Sequence, residues 1–211
     1  MAAALRADFA CGVYFVGKIW VKVKIIFGLG NPGFQYKNNR HNVGYMVVEE
    51  LRKKEKIRLR RSFKFSAFLG LGKIGKSDVA LVEPRTFMNN SAVCVKKILD
   101  NYKISPKDFL VVYDDVDLPL GTMRFRKKGK ATHRGISFII ESLNGEEVNR
   151  LRIGIDKPGT GDLSNYVLSD FSFQEKEILK NVISKAASAC IDWVNFGADF
   201  VMRNYNRKDK G

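Results

Sequence analysis

At 211 residues, 45% apolar and 11% aromatic, the chain can bury the core of one large domain, which excludes a disordered or fibrous protein. Its formal net charge of +15 calls for a polyanionic partner. That partner is not a membrane, because no long apolar stretch and no basic amphipathic helix with an exposed aromatic face stands out. The three cysteines, Cys11, Cys94 and Cys190, are odd in number, far apart and outside C-x-x-C spacing. They exclude a disulfide framework and a cysteine zinc site and indicate a reducing compartment; Cys94 and Cys190 fall on apolar helix faces as core thiols.

Residues 1–20 lack the charged n-region and long apolar h-region of a secretory signal, and the Ser and Arg content of a transit peptide. They read as a disordered or mis-assigned extension whose first 18 residues can be deleted without loss of folding or activity. Val21 to Phe27 is an apolar, β-branched run ending in Gly28, Gly30 and Gly33. These satisfy G-x-G-x-x-G, but a polar loop follows where a dinucleotide site needs a helix, and Glu49 and Glu50 fall inside the next helix. The nucleotide reading is therefore weak.

Val43 to Lys56 has helical periodicity, with Val43, Met46, Val47 and Leu51 on one side. Lys53 to Lys64 is densely basic, either a solvated helix end and loop or part of an RNA-facing rim. Phe63 to Leu69 and Asp78 to Val82 read as a hairpin turning at Gly72–Ser77, and a helix capped by Ser91 or a neighbouring Asn carries Val93, Val95, Ile98 and Leu99. Phe109 to Tyr113 is an apolar run of buried-strand length. Met123 to Arg126 alternates basic and apolar, and Lys127 to Arg134 is flexible and basic. A short helix at Ile136 to Leu143, a strand at Leu151 to Ile155, a loop at Gly159 to Asp162 and a helical stretch from Phe173 to Tyr205 complete the domain, with Trp193 and Phe196 as core anchors. Strands alternating with helices give a single α/β domain over residues 21–205, three α/β/α layers around a twisted, mixed, mostly parallel sheet, with a basic tail at 206–211.

His41 is the one side chain near the glycine turn that titrates near neutrality. Asp114 and Asp115 follow a buried-type strand, where open α/β sheets place their sites. A carboxylate on one imidazole nitrogen fixes the tautomer and leaves the other nitrogen free to take a proton from water. No serine or cysteine lies in a nucleophile-elbow context, so water is the attacker. Two histidines about ninety residues apart do not supply a metal site, and no cofactor is called for. Asn31 and Asn89 suit a turn and a cap, or a peptide backbone to which they present neutral amides.

The blocks Gly28-Leu29-Gly30-Asn31-Pro32-Gly33, Tyr36, Arg40-His41-Asn42-Val43-Gly44, Thr86-Phe87-Met88-Asn89, Asp114-Asp115-Val116-Asp117-Leu118-Pro119 and Arg150-Leu151-Arg152-Ile153-Gly154-Ile155 occur in an order that resembles bacterial-type peptidyl-tRNA hydrolase, from about Val21 to Tyr205. The resemblance implies metal-independent hydrolysis of the ester joining a peptide to the terminal ribose of tRNA, by a cytoplasmic monomer without an obligate protein partner. It implies His41 as general base, Asp114 as its supporting carboxylate, and Asn31 as the contact to the peptide beside the scissile ester. Tyr36, Phe87 and Asn89 would line the cleft for the peptide and the 3′ end. Arg126 and Arg152 would clamp the tRNA 5′-phosphate. The chain departs from the family pattern at Lys130-Ala131-Thr132-His133-Arg134-Gly135, where Arg134 replaces an asparagine that holds tRNA or orients water. An arginine can contact phosphate or a carbonyl but accepts no hydrogen bond. A non-catalytic RNA-binding relative is the alternative, in which Asn31, His41 and Asp114 would be surplus.

Overall fold

The structure is a computed structural model describing residues 23–102, 104–129, 132–159 and 161–206. The expected extension at 1–20, Cys11, Lys130, Ala131 and the tail beyond Asn206 lie outside the described residues. In chain order the elements are β1 (Val23–Gly28), α1 (Val43–Lys54), β2 (Arg60–Ser62), β3 (Ala67–Ile74), β4 (Ser77–Pro84), α2 (Ser91–Tyr102), β5 (Phe109–Asp115), β6 (Met123–Arg126), α3 (Arg134–Ser142), β7 (Asn149–Gly154), α4 (Leu163–Val167), α5 (Phe173–Phe196) and α6 (Ala198–Tyr205). The strands form one seven-stranded sheet in the order β2-β3-β4-β1-β5-β7-β6. The central strands β4, β1, β5 and β7 run parallel, and antiparallel strands close both edges.

The parallel strands are apolar on both faces because both faces are covered. Along β1 and β5, Ile26, Leu110 and Val112 point toward α1, α5 and α6. Their sequence neighbours Ile25, Phe27, Phe109, Val111 and Tyr113 point toward α2 and α3. This period-2 partition gives one core on each side of the sheet, which is the three-layer architecture. Cys94 and Cys190 are buried in these cores. No helix among the described residues is long and apolar enough to cross a membrane.

Local chemistry moved several boundaries. Phe63 to Ser66 is a turn, with Ser66 at φ 50°, so β3 starts only at Ala67 and its hairpin turns at Gly75, φ 58°. Helix α2 begins after a 3-10 turn at Met88–Asn90, and the buried Ser91 hydroxyl caps nothing. The stretch 173–205 is broken at Gly197 (φ 84°) into α5 and α6. Trp193 is a core anchor at 2% exposure, whereas Phe196, at the end of α5, is 62% exposed and stacks on Phe200.

From β1 the chain crosses to β4 on one side and then to β5 on the other. The loops after β1 and β5 therefore diverge at a topological switch point, which opens a crevice at the carboxyl ends of the strands.

Candidate active site

The glycines after β1 serve packing. A Cβ on Gly28 would lie 2.4 Å from the Gly44 carbonyl oxygen, and one on Gly44 would lie 2.4 Å from the carbonyls of Leu29 and Val112. Helix α1 thus crosses β1 and β5 backbone to backbone, and no helix starts at Gly33 to receive a pyrophosphate. Two 3-10 turns, Phe34–Tyr36 and Arg40–Asn42, lead into α1 instead.

His41 sits in the second turn, between two anchored neighbours. Arg40 is buried, makes a bidentate pair with Glu175 at 2.7 and 2.8 Å, and stacks on Tyr166 and Phe171. Asn42 bonds reciprocally to the Asn31 backbone, accepting from N–H at 2.8 Å and donating to the carbonyl at 3.0 Å. Asn31 in turn accepts the Met88 N–H at Oδ1, 3.0 Å. Its Oδ1 is committed, so Nδ2 is the group this buried amide can offer to the cleft. These bonds tie the ends of β1 and β4 and the histidine turn into one rigid unit.

Across the switch point, Asp114 near the end of β5 holds His41 Nδ1 at 2.9 and 3.0 Å. The second histidine arrives on the same carboxylate: His133 Nε2 lies 3.1 Å from Asp114 Oδ1. His133 is the N-cap of α3, and its Nδ1 accepts the Ile136 N–H at 3.4 Å. An Nδ1 that accepts must be bare, so Nε2 carries the proton it gives to Asp114. The imidazole centroids are 4.9 Å apart. The sequence separation argued against a metal site; the fold brings the two histidines onto one aspartate.

Burial by itself would raise the Asp114 pKa, but the two imidazoles, by charge and by hydrogen bond, outweigh it and hold the group well below the usual carboxylate range. Burial lowers the His41 pKa, and Asp114 more than reverses this, so it stands above the ordinary imidazole value. His41, Asp114 and His133 also form a possible metal-ligand set, their ligating atoms within 4.8 Å of one another. A metal there would have to displace the protons that both histidines give to the carboxylate.

An open cleft of about 790 Å³ lies over this triad. Asn31, His41, Phe87, Asn89, Asp114 and Arg134 all line it. Tyr36 is not part of the lining but meets Phe87 edge to face, centroids 6.4 Å apart. Arg126 and Arg152 stand outside the cleft on the antiparallel β6–β7 pair. Register pairs Arg152 with Arg124 and Arg126 with Arg150, so Arg126 is a diagonal neighbour of Arg152 on one face. Arg152 donates from Nε to Asp115, and Arg126 is exposed. The rim is laced by Asp117, which bonds Lys157 at 2.6 Å and Thr132 at 3.2 Å. His133, Arg40 and Asn42 were missed as site residues. The signal for His133 was its scarcity, as one of two histidines beside the departure at 134.

An imidazole oriented by an ionised carboxylate and opening on a cleft is the equipment of a hydrolase that activates water. The profile of the peptidyl-tRNA hydrolase family matches residues 25–211, and the chain belongs to that family. The peptidyl-tRNA hydrolase of Carboxydothermus hydrogenoformans is 45% identical over 184 residues, 87% of this chain and 98% of that one. The Aquifex aeolicus enzyme is 42% identical over 192 residues, 89% and 98% of the two chains. The crystal structure of the Acinetobacter baumannii peptidyl-tRNA hydrolase superposes with a TM-score of 0.82 at 33% identity, over 89% of this chain and 95% of that chain.

Proposed function

We propose that this chain hydrolyses peptidyl-tRNA, with His41 as general base and Asp114 as the group that orients it. The observation that carries the reading is the His41–Asp114 bond, made through Nδ1. It leaves Nε2 to take the proton of a water in the cleft as the water oxygen attacks the ester carbonyl. The carbonyl re-forms as the bond to the ribose 3′ oxygen breaks, and the imidazolium returns its proton to that oxygen. The products are a peptide with a free carboxyl group and a tRNA with a free 3′ hydroxyl.

Asn31 Nδ2 binds the peptide beside the ester and completes the catalytic group, while Phe87, Tyr36 and Asn89 flank the acyl chain and the terminal nucleotide. Arg126 and Arg152 hold the 5′-phosphate from the antiparallel β6–β7 pair. Arg134, at the first turn of α3, contacts a substrate phosphate or carbonyl. The reaction is metal-independent, the catalytic domain spans residues 21–205, and the enzyme works as a cytoplasmic monomer.

Release of labelled acyl group from an N-blocked aminoacyl-tRNA, with free aminoacyl-tRNA as control, tests this reading in wild type and His41→Ala. Release from the blocked ester only, lost in the variant while tRNA still binds, is the expected result. Tight tRNA binding that weakens with salt, without release, would instead favour the RNA-binding relative.

A further inference from the structure

At the β2–β3 edge of the sheet, Arg61 stands directly opposite Phe68 in the antiparallel register. The Arg61 guanidinium lies 4.3 Å from the centre of the Phe63 ring, and that of Arg85 lies 5.4 Å from the Phe68 ring. Phe63 is 77% exposed and Phe68 36% exposed. These two stacked pairs form one arginine–aromatic strip at the same end of the sheet as His41, because β3 meets the end of β4 in register, Phe68 opposite Glu83. Glu83 is itself buried and does not compete for the guanidinium edges. From Arg85 the chain runs two residues to Phe87, which lines the cleft.

We propose that this strip binds the peptide portion of the substrate, favouring acidic and aromatic residues; the inference rests on the reading above. In the sheet order β2-β3-β4-β1-β5-β7-β6, the paired strands carrying Arg126 and Arg152 lie on one side of the β1–β5 crevice and the strip on the other. With the RNA held on the β6–β7 side, the acyl chain leaves the ester toward β4, β3 and β2. Three strand spacings of about 4.8 Å put β2 about 14 Å from β1, a span covered by about four or five extended peptide residues. A guanidinium stacked on a ring keeps its N–H edges for a carbonyl or carboxylate, and the exposed ring face remains for an aromatic side chain. Nucleotides would also suit arginine and aromatic groups, but the reading above assigns them to the opposite edge, with Arg126 and Arg152.

The test compares three substrates on one tRNA: a blocked single aminoacyl group, an octapeptide with Asp and Phe at the fourth to sixth residues from the ester, and one with Lys and Gly there. For the wild type, KM for the Asp/Phe octapeptide should lie about fivefold below that for the Lys/Gly one, the size expected of one cation–π or charge contact. Arg61→Ser combined with Phe63→Ser should erase that difference while kcat/KM on the blocked single residue is unchanged; Phe63→Ser alone should reduce it. Equal KM values for both octapeptides in the wild type would overturn the proposal. So would an equal loss on all three substrates in the double variant, which would make the strip an RNA contact. Failure of the wild type to cleave even the blocked single residue would refute the hydrolase reading itself, and the strip's role would fall with it.

Discussion

Asp114 and Glu83 are two carboxylates buried at the carboxyl ends of parallel strands flanking β1, and the fold drives their pKa values in opposite directions. Both lose water. Asp114 gains two imidazoles in exchange, and stays ionised far below the usual range. Glu83 gains no such partners: burial, reinforced by Glu49 and only partly offset by Arg52, pushes it up to about 8, and its Oε1 has no hydrogen-bond partner. A strand end supplies burial to either residue, while donors brought from other loops decide the charge. Only the charged one can orient a base.

The largest effect should come from making the two alike. Asp114→Asn removes the charge and keeps the shape. The His41 tautomer is then no longer imposed, and hydrolysis should fall by about 10³–10⁴-fold. The pH profile carries the diagnostic. In the wild type the rate should fall with acid as His41 Nε2 protonates, at a pH above the ordinary imidazole value because Asp114 raises it. In the variant only burial remains, which lowers the His41 pKa, so the acid limb should move below about 6.5. An acid limb that stays in place would separate Asp114 from the base. The depressed Asp114 also contributes stability above its unfolded pKa near 4 that is lost as pH falls through its folded value, so the variant should show a flatter acid denaturation curve.

The converse change acts on Glu83. Its folded pKa is raised, so the fold is penalised as pH climbs from the unfolded value of 4.5 toward about 8. Glu83→Gln should therefore stabilise the protein by on the order of 3 kcal/mol at pH 8, and by almost nothing near pH 4.5. Thermal melts at pH 5 and pH 8 read this directly. A gain of equal size at both values would mean that packing, and not ionisation, set the difference. Activity should be unchanged, because Glu83 faces α1 and is not among the residues lining the cleft.

The sequence carried half of this contrast. Asp114 was legible because a fully apolar run ends on it, and His41 because a glycine turn precedes it; strand-end sites obey that local grammar. Asn31 was readable as either a turn residue or a peptide contact, and the fold buries its amide and fixes it through the Met88 N–H. Glu83 ends a similar strand but is buried by α1 crossing above it, a long-range event made possible by Gly28 and Gly44. His133 lies in a basic segment without periodicity, and only the cap of α3 aims it. The break at Gly197, which leaves Phe196 in solvent, likewise depends on a single positive φ inside a continuous helical pattern.

The smallest effect separates the two jobs of that second histidine. His133 caps α3 through Nδ1 and steadies Asp114 through Nε2. In His133→Asn, the Asn side-chain oxygen falls near the position of Nδ1 and is among the best N-caps, so the helix cap is kept and the stability lost, about 1–3 kcal/mol, is that of the bond to Asp114 alone. Asn does not reach Asp114. The carboxylate then has His41 as its one imidazole partner, and the loss of one charge-assisted bond should slow hydrolysis about tenfold. His133→Ala should lose the cap as well and melt lower, with a similar rate. If His133→Asn were fully active, the second imidazole would serve α3 alone, and His41 would suffice to hold the Asp114 pKa down where that of Glu83, without any imidazole, is pushed up.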